Sequence, residues 1–283
     1  MTVLRDRRDR CPGALRPWPA EDGLLVRLRL VGGRVAARSL DALAEVAERF
    51  GNGRVYPTAR ANLQVRAFPG ARGRLTDEAL AALEGTGLLP TRTHELVRNI
   101  MVSPQSGIDP GHADLRPVAA ELDNLLCGDA RLAELPGRFL FALDDGHGDL
   151  LDRTCDLGLV ALDEETGQLR IGNDWGSVIS LPGAASRLAS LATAFLAARG
   201  QGPSAPWHVA ELAEELAPCH RPDPRLPAPA EPLAYGRVPG GEHVAVPGTG
   251  LDRDAVAALT SRATELVVTP WRGVLVPEGR SDV

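Results

Sequence analysis

Apolar and polar positions alternate through Val55-Tyr-Pro-Thr-Ala-Arg-Ala-Asn-Leu-Gln-Val-Arg66. Val55, Pro57, Ala59, Ala61, Leu63 and Val65 share one face, and Tyr56, Thr58, Arg60, Asn62, Gln64 and Arg66 share the other. This period of two predicts a strand lying on a core. A second alternating run, Gly23–Leu30, predicts an earlier strand, with a turn at Gly32-Gly33. Between the strands, Leu40, Leu43, Val46 and Phe50 recur at helical spacing, with Ser39 placed to cap the helix and Gly51-Asn-Gly53 to end it. The same β-α-β order returns late in the chain. There a strand at His243–Val246 precedes a helix capped by Asp252 and running through Val256 and Leu259, and a strand spanning Glu265–Val276 follows. Thr58 and Val65 match Thr269 and Val276, seven residues apart in each copy. Neither copy is large enough to bury its own sheet. The two are therefore expected to pair about a pseudo-two-fold axis, bringing Arg60 close to Arg272.

The rest of the pattern divides the chain into a half-repeat over residues 11–70, a mixed α/β module over 75–200, a proline-rich linker over 201–232 and a second half-repeat over 233–279. In the module, helices are expected over Asp77 to Gly85, Leu115 to Leu126 and Ala184–Ala198. Strands are expected within Glu95–Ser103, Leu135–Leu143, Leu157–Leu162 and Leu169–Ile171, with a turn at Asp144-Asp-Gly146. A short helix is expected at His208–Leu216 in the linker.

Composition narrows the chemistry. Hydrophobic residues make up 44% of the 283 positions, enough for a substantial core, while aromatics at 4% leave that core to Leu, Val and Ala. The net charge of −6 supplies no overall field for nucleic acid or an anionic membrane, and neither is expected as a partner. All 31 basic residues are Arg, which excludes Schiff-base lysine chemistry and a phosphate-loop lysine. The charged first ten residues do not read as a signal peptide, and no run of 18 apolar residues predicts a membrane span, so a cytoplasmic location is expected. Cysteines stand at 11, 127, 155 and 219 without a Cys-x-x-Cys pair, and His94, His112, His147 and His220 are scattered. No metal site is assigned from these residues. The polar face of 55–66 carries two guanidinium groups flanking an amide pair and has no carboxylate. It suits a polyanion bound bidentately, and it equally suits an ordinary solvated strand face.

Thr58-x-Arg60-x-Asn62-x-Gln64, then Arg98-Asn99 and Ser103-Pro-x-x-Gly107, resemble the siroheme-dependent nitrite and sulfite reductases. Within that superfamily the chain resembles precorrin-3B synthase of cobalamin biosynthesis. Cys11-Pro12, Asp22-Gly-Leu-Leu-Val-Arg-Leu28, Leu135-Pro-x-Arg138-Phe with Asp144-Asp-Gly146, and Thr269-Pro-Trp-Arg-Gly-Val274 support the match, which runs over about residues 11 to 278. The resemblance implies an α+β fold in which two ferredoxin-like half-repeats pair about a pseudo-two-fold, together with a mixed α/β module of the nitrite/sulfite reductase type. It implies an oxidoreductase setting, with an oxygen-dependent hydroxylation and lactone formation on a precorrin as the family reaction. The ligand implied is a polycarboxylate tetrapyrrole, precorrin or siroheme-like.

On that resemblance, tetrapyrrole-binding roles are expected for Arg60, Asn62, Gln64, Arg66, Arg98, Asn99, Arg138 and Arg272. No catalytic residue is assigned. Structural alternatives stand beside these roles: backbone-satisfying amides for Asn62 and Gln64, ion pairs for Arg98 and Arg138, and stacking on Trp271 for Arg272. Arg138 stands where the reductases carry lysine, and Leu140 where they carry another, so the full anion-reducing set is not reproduced. The family's cofactors are a [4Fe–4S] cluster with siroheme, or non-haem iron. The family's four cluster cysteines follow the strand matching Thr269–Val276, and no such set lies in this sequence. A separate subunit or a homodimer partner is expected to replace that module. A non-catalytic tetrapyrrole-binding or split-subunit homologue is the alternative reading.

Overall fold

A computed structural model describes residues 11–202 and 204–278. They form two compact units, one built from residues 11–95 and 232–278, the other from the described residues of 96–231. The architecture is α+β.

The first unit begins with strands β1 (Trp18–Ala20), β2 (Gly23–Leu28) and β3 (Arg34–Ala36), helix α1 (Ala37–Phe50), and strands β4 (Tyr56–Pro57) and β5 (Leu63–Phe68). A two-stranded ribbon, β6 (Gly70–Ala71) and β7 (Arg74–Leu75), leads into α2 (Asp77–Gly85). Thr76 caps α2 by accepting a hydrogen bond from the Ala79 amide, and Ala79 and Leu83 of α2 join the same core as Leu40 and Leu43 of α1. Residues 75–95 therefore pack with the first half-repeat, whereas the sequence had placed them in the module. Ser39 does not cap α1: the helix starts three residues earlier, with Ala36 at the cap and no side-chain bond.

The second unit contains β8 (Ile100–Val102), α3 (Arg116–Gly128), β9 (Phe141–Asp144), β10 (Leu157–Ala161), β11 (Thr166–Ile171), β12 (Asp174–Ser180) and α4 (Ala184–Arg199). Its sheet runs β12-β11-β10-β9-β8, parallel across β8, β9 and β10 and antiparallel beyond. The strand β12 had no counterpart in the sequence reading. Together with its leading turn, α4 is long and apolar enough to cross a membrane by length and composition. Its buried residues Ala184, Ala185, Leu188, Leu191, Ala192 and Phe195 nevertheless form one stripe, the pattern of a helix lying on a protein core. Phe195 packs its ring 4.9 Å from that of Phe139. The helix expected at His208–Leu216 is only a single turn of 3-10 helix, Val209–Glu211, and the linker up to residue 231 belongs to this unit.

The chain then returns to the first unit with β13 (Gly236–Val238), β14 (Gly241–Ala245), α5 (Arg253–Thr260), β15 (Glu265–Val268) and β16 (Gly273–Pro277). Residue 279, the expected last residue of this half-repeat, lies outside the described residues. Asp252 caps α5 through the Ala255 amide, as its position predicts. The two copies exchange edges. The sheet β13-β14-β16-β15 accepts β3 of the first copy, pairing Val35 with Leu266. In return, Val55 beside β4 bridges Leu251 of the second copy through reciprocal amide bonds of 2.9 and 2.8 Å. Helices α1 and α5 pack together, tied by Arg253 to Glu45 at 2.6 Å and Thr260 to Asp41 at 2.7 Å. One core results, drawing Leu28, Leu63 and Val65 from one copy and Leu266, Val268 and Val274 from the other.

Candidate anion-binding site

The alternating run 55–66 is not one strand. It folds as a hairpin: β4, a turn from Thr58 to Asn62, and β5. The Thr58 amide donates to the Asn62 carbonyl, the Ala61 amide donates to the Thr58 carbonyl, and Ala61 takes φ 53°. The Thr58 hydroxyl accepts from the Asn62 amide at 3.2 Å and from that of Arg60 at 3.4 Å. The second copy repeats this device between β15 and β16. Thr269 donates to the Gly273 carbonyl, Arg272 donates to the Thr269 carbonyl with φ 63°, and the Thr269 hydroxyl accepts from the Gly273 amide at 3.1 Å. Arg60 and Arg272 thus sit on turns rather than on strands, in loops related by the repeat.

Beside the first hairpin lies an open cavity of about 420 Å³. Arg27, Arg60, Gln64, Arg66 and Arg272 supply its polar wall; Pro57, Ala59, Val246 and Pro247 supply apolar wall, with Tyr56 and Thr58 between them. None of its lining residues is acidic. Arg27 on β2 stands in register with Gln64 on β5, and Gln64 with Tyr56 on β4, so the three side chains form a row across the sheet. The Arg27 guanidinium donates Nη2 to Gln64 Oε1 at 3.2 Å, while its Nε is buried without a hydrogen-bond partner. Burial pushes the Arg27 pKa below the usual arginine range, and the neighbouring Arg60 charge pushes it the same way.

A β-bulge sets the position of Arg66. Val26 pairs with Val65, but Leu24 pairs with Phe68, so Arg66 and Ala67 together oppose Leu25. Ala67 takes φ 62°, and Gly23 leaves the room this requires, since a Cβ there would lie 2.9 Å from the Ala67 backbone. Arg66 shares the face of Gln64 by alternation, and the extra residue returns Phe68 to the core. Arg66 forms a bidentate pair with Asp22, Nε to Oδ2 at 3.1 Å and Nη2 to Oδ1 at 3.3 Å.

Of the expected site residues, the structure brings Arg60, Gln64, Arg66 and Arg272 to this one cavity. Asn62 is buried at 1% exposure, and its Oδ1 accepts from the Leu30 amide at 2.9 Å, tying the end of β2. Arg98, Asn99 and Arg138 belong to the other unit. Arg98 holds Asp123 bidentately at 2.6 and 2.7 Å. Burial works against the Arg98 charge, but the Asp123 bonds outweigh it and leave the pKa raised. Asn99 donates to the Leu96 and Gly137 carbonyls. Arg138 is exposed, its guanidinium 5.6 Å from the centre of the Trp207 ring. Sequence reasoning missed Arg27. Its signal was there, as a polar position inside the alternating run Gly23–Leu30, but only the register shows it opposite Gln64.

The cavity fits carboxylates, since several guanidinium groups line it and no acidic residue does. An iron–sulfur cluster does not fit the described residues. Cys11, Cys127, Cys155 and Cys219 do not converge, and no group of three or more His, Cys, Asp or Glu among the described residues is placed to hold a metal ion.

Comparison with known proteins finds relatives in sequence and in fold. The family model of the nitrite/sulfite reductase ferredoxin-like half domain matches residues 18–83. A precorrin-3B synthase from Sinorhizobium sp. is 39% identical over 131 residues, covering 44% of this chain and 26% of that protein. Ferredoxin–nitrite reductases from Leptolyngbya laminosa and Synechococcus elongatus are 30% and 32% identical, covering 49% and 44% of this chain. The matched stretches span only about a quarter of the length of these curated relatives. The structure of the Mycobacterium tuberculosis NirA protein superposes with a TM-score of 0.69 at 16% identity, covering 91% of this chain and 54% of that one, and so shares the fold. The chain is related to the nitrite/sulfite reductase superfamily, and its residues 18–83 match that superfamily's ferredoxin-like half domain.

Proposed function

We propose that this chain is a precorrin-3B synthase-like protein of tetrapyrrole metabolism that binds a polycarboxylate tetrapyrrole through the arginine-lined cavity of its paired half-repeats. The observation that carries the reading is the gathering of Arg27, Arg60, Arg66 and Arg272 around one cavity whose lining has no acidic residue. An isolated guanidinium is costly to bury, and Arg27 is held below its usual pKa with one N–H unsatisfied. An incoming carboxylate relieves the desolvation, the unmet hydrogen bond and the repulsion from Arg60 together. The apolar wall of Pro57, Ala59, Val246 and Pro247 suits the edge of a flat macrocycle carrying acidic arms.

A second reading, a tetrapyrrole-binding or split-subunit homologue without a redox step of its own, is favoured by the dispersed cysteines. An oxidoreductase reaction then draws its iron from outside the described residues, for instance from a separate subunit. Both readings share the binding step. Titration with uroporphyrin, a porphyrin bearing acetate and propionate arms, followed by visible absorbance, tests it. Saturable binding that weakens with salt is expected, with a loss of about tenfold or more in Arg27→Gln. Binding indifferent to salt and to Arg27→Gln overturns the assignment. Iron and a siroheme spectrum in anaerobically purified protein favour the catalytic reading over the second one.

A further inference from the structure

The cavity's arginines are not equivalent, and the difference bears on what the ligand must carry. Arg27 reaches the cavity with no carboxylate on its guanidinium: its recorded partner is the neutral Gln64 amide, and its Nε is unsatisfied. Arg66, on the same face two residues along β5 from Gln64, is held by Asp22 through two hydrogen bonds. Asp22 precedes β2 and is not among the cavity-lining residues, so it reaches Arg66 from outside the cavity. Both partners of this pair are 38% exposed. An ion pair of that exposure is weak, so an incoming anion can displace it at little cost. The pair is nonetheless built rather than incidental. It stands where the bulge at Arg66 and Ala67, with Ala67 at φ 62° and close against Gly23, lies beside the residue just before β2.

We propose that Asp22 is a built-in competitor for the anion at Arg66, which makes the cavity a receptor with two carboxylate positions. One position, at Arg27 beside Arg60, is open to a first carboxylate. The other, at Arg66, accepts a carboxylate only by exchange with Asp22. A ligand with a single acidic arm fills the first position and leaves the Asp22 pair intact. A ligand with two suitably spaced arms fills both, recovering at Arg66 the bidentate geometry that Asp22 gives up. Asp22 thereby sets how strongly a second acidic arm is held, acting as a positioning residue through Arg66. This inference rests on the proposed tetrapyrrole-binding reading.

The test is a double-mutant cycle measured by calorimetric titration with uroporphyrin and, separately, with acetate. The proteins are the full chain as wild type, Asp22→Asn, Arg66→Gln and the double variant. Asp22→Asn is expected to tighten uroporphyrin binding by about threefold, the size of an exposed ion pair. That gain is expected to vanish in the Arg66→Gln background, and acetate, which fills the Arg27 position alone in the wild type, is expected to bind Arg66→Gln as it binds the wild type. A gain that persists without Arg66 marks a general charge effect and overturns the proposal, as does no gain at all or acetate binding that depends on Arg66 in the wild type. Thermal midpoints of the four proteins separate a folding defect from a binding effect. Failure of the wild type to bind uroporphyrin removes the underlying reading, and this proposal with it. Binding that is lost in Arg27→Gln yet indifferent to Asp22 removes this proposal alone.

Discussion

The two half-repeats use the same backbone device to different ends. In both, a threonine hydroxyl and a residue at positive φ close a tight turn between paired strands. What stands beneath that turn differs. In the first copy, the strand position facing β5 at Gln64 is Arg27, and the space above it is the cavity. In the second copy, the matching register position, facing Leu275, is His243. Its Nδ1 lies 3.0 Å from the Leu233 carbonyl, so Nδ1 carries the proton, and its Nε2 accepts from the Thr269 hydroxyl at 2.9 Å. Tyr235 lies over the imidazole at 4.5 Å and donates its hydroxyl to the Trp271 carbonyl, so this half is filled. A repeat can thus keep one copy as packed structure and leave the other open for a ligand through a few side-chain choices on an unchanged backbone.

The strongest challenge to this comparison is to the shared core. Leu63→Ala in the first copy and Leu266→Ala in the second should each cost about 2–5 kcal/mol, both being fully buried in one cluster. Hydrogen exchange should then show the amides of β5 and β16 losing protection together in either variant; independent loss separates the two halves. Next in size, His243→Ala should destabilise by about 2 kcal/mol in urea unfolding, because it strands the Leu233 carbonyl and the Thr269 hydroxyl. Arg27→Gln, at the same register position of the other copy, should change stability by less than about 1 kcal/mol, since it removes a half-buried charge whose Nε is unsatisfied. Equal losses at the two positions contradict the division of labour.

Smaller again is a dependence on pH. Burial lowers the His243 pKa, so the folded protein resists a proton that the unfolded chain takes up near pH 6.5. Its contribution is therefore intact above that pH and declines as pH falls toward the lowered folded value. The difference in urea midpoint between wild type and His243→Gln should shift between pH 7.5 and pH 5, with wild type losing more on acidification. The smallest effect is expected at Arg272, exposed and at φ 63°. Arg272→Gly should stabilise by about 0.5 kcal/mol, the relief of a left-handed residue less the flexibility glycine adds to the unfolded chain. It should also weaken uroporphyrin binding less than Arg27→Gln does.

The repeat, its pairing and most elements were legible because they rest on periodic apolar positions: Leu40, Leu43 and Phe50 on α1, Val256 and Leu259 on α5, and the matched Thr58 and Thr269. The hairpins were not, because a five-residue turn such as Thr58–Asn62 keeps the alternation of the strands around it. Only Ala61 in a left-handed conformation breaks that alternation, and alanine gives no sign of it. The same blindness hid the bulge at Ala67 and, with it, the Arg66–Asp22 pair. Asn62 read as a polar-face residue because parity placed it there, whereas the turn rotates it inward to bond Leu30. Arg27 was hidden for another reason: its chemistry depends on Gln64, 37 positions along the chain, and strand register is a tertiary fact. Arg98 read as a ligand-binding cation in the family's motif, and its commitment to Asp123 on α3 is likewise visible only once helix and strand are packed.

The central claim, that the anion is held at the first copy's hairpin beside Arg27 and not at the filled His243 position of the second copy, is tested most directly by hydrogen–deuterium exchange mass spectrometry with and without uroporphyrin. Added protection is expected in peptides covering Gly23–Leu28, 56–66 and 246–248, and little in Gly236–Val238 and Glu265–Val268. Protection absent from the first set, or concentrated in the second, contradicts the account.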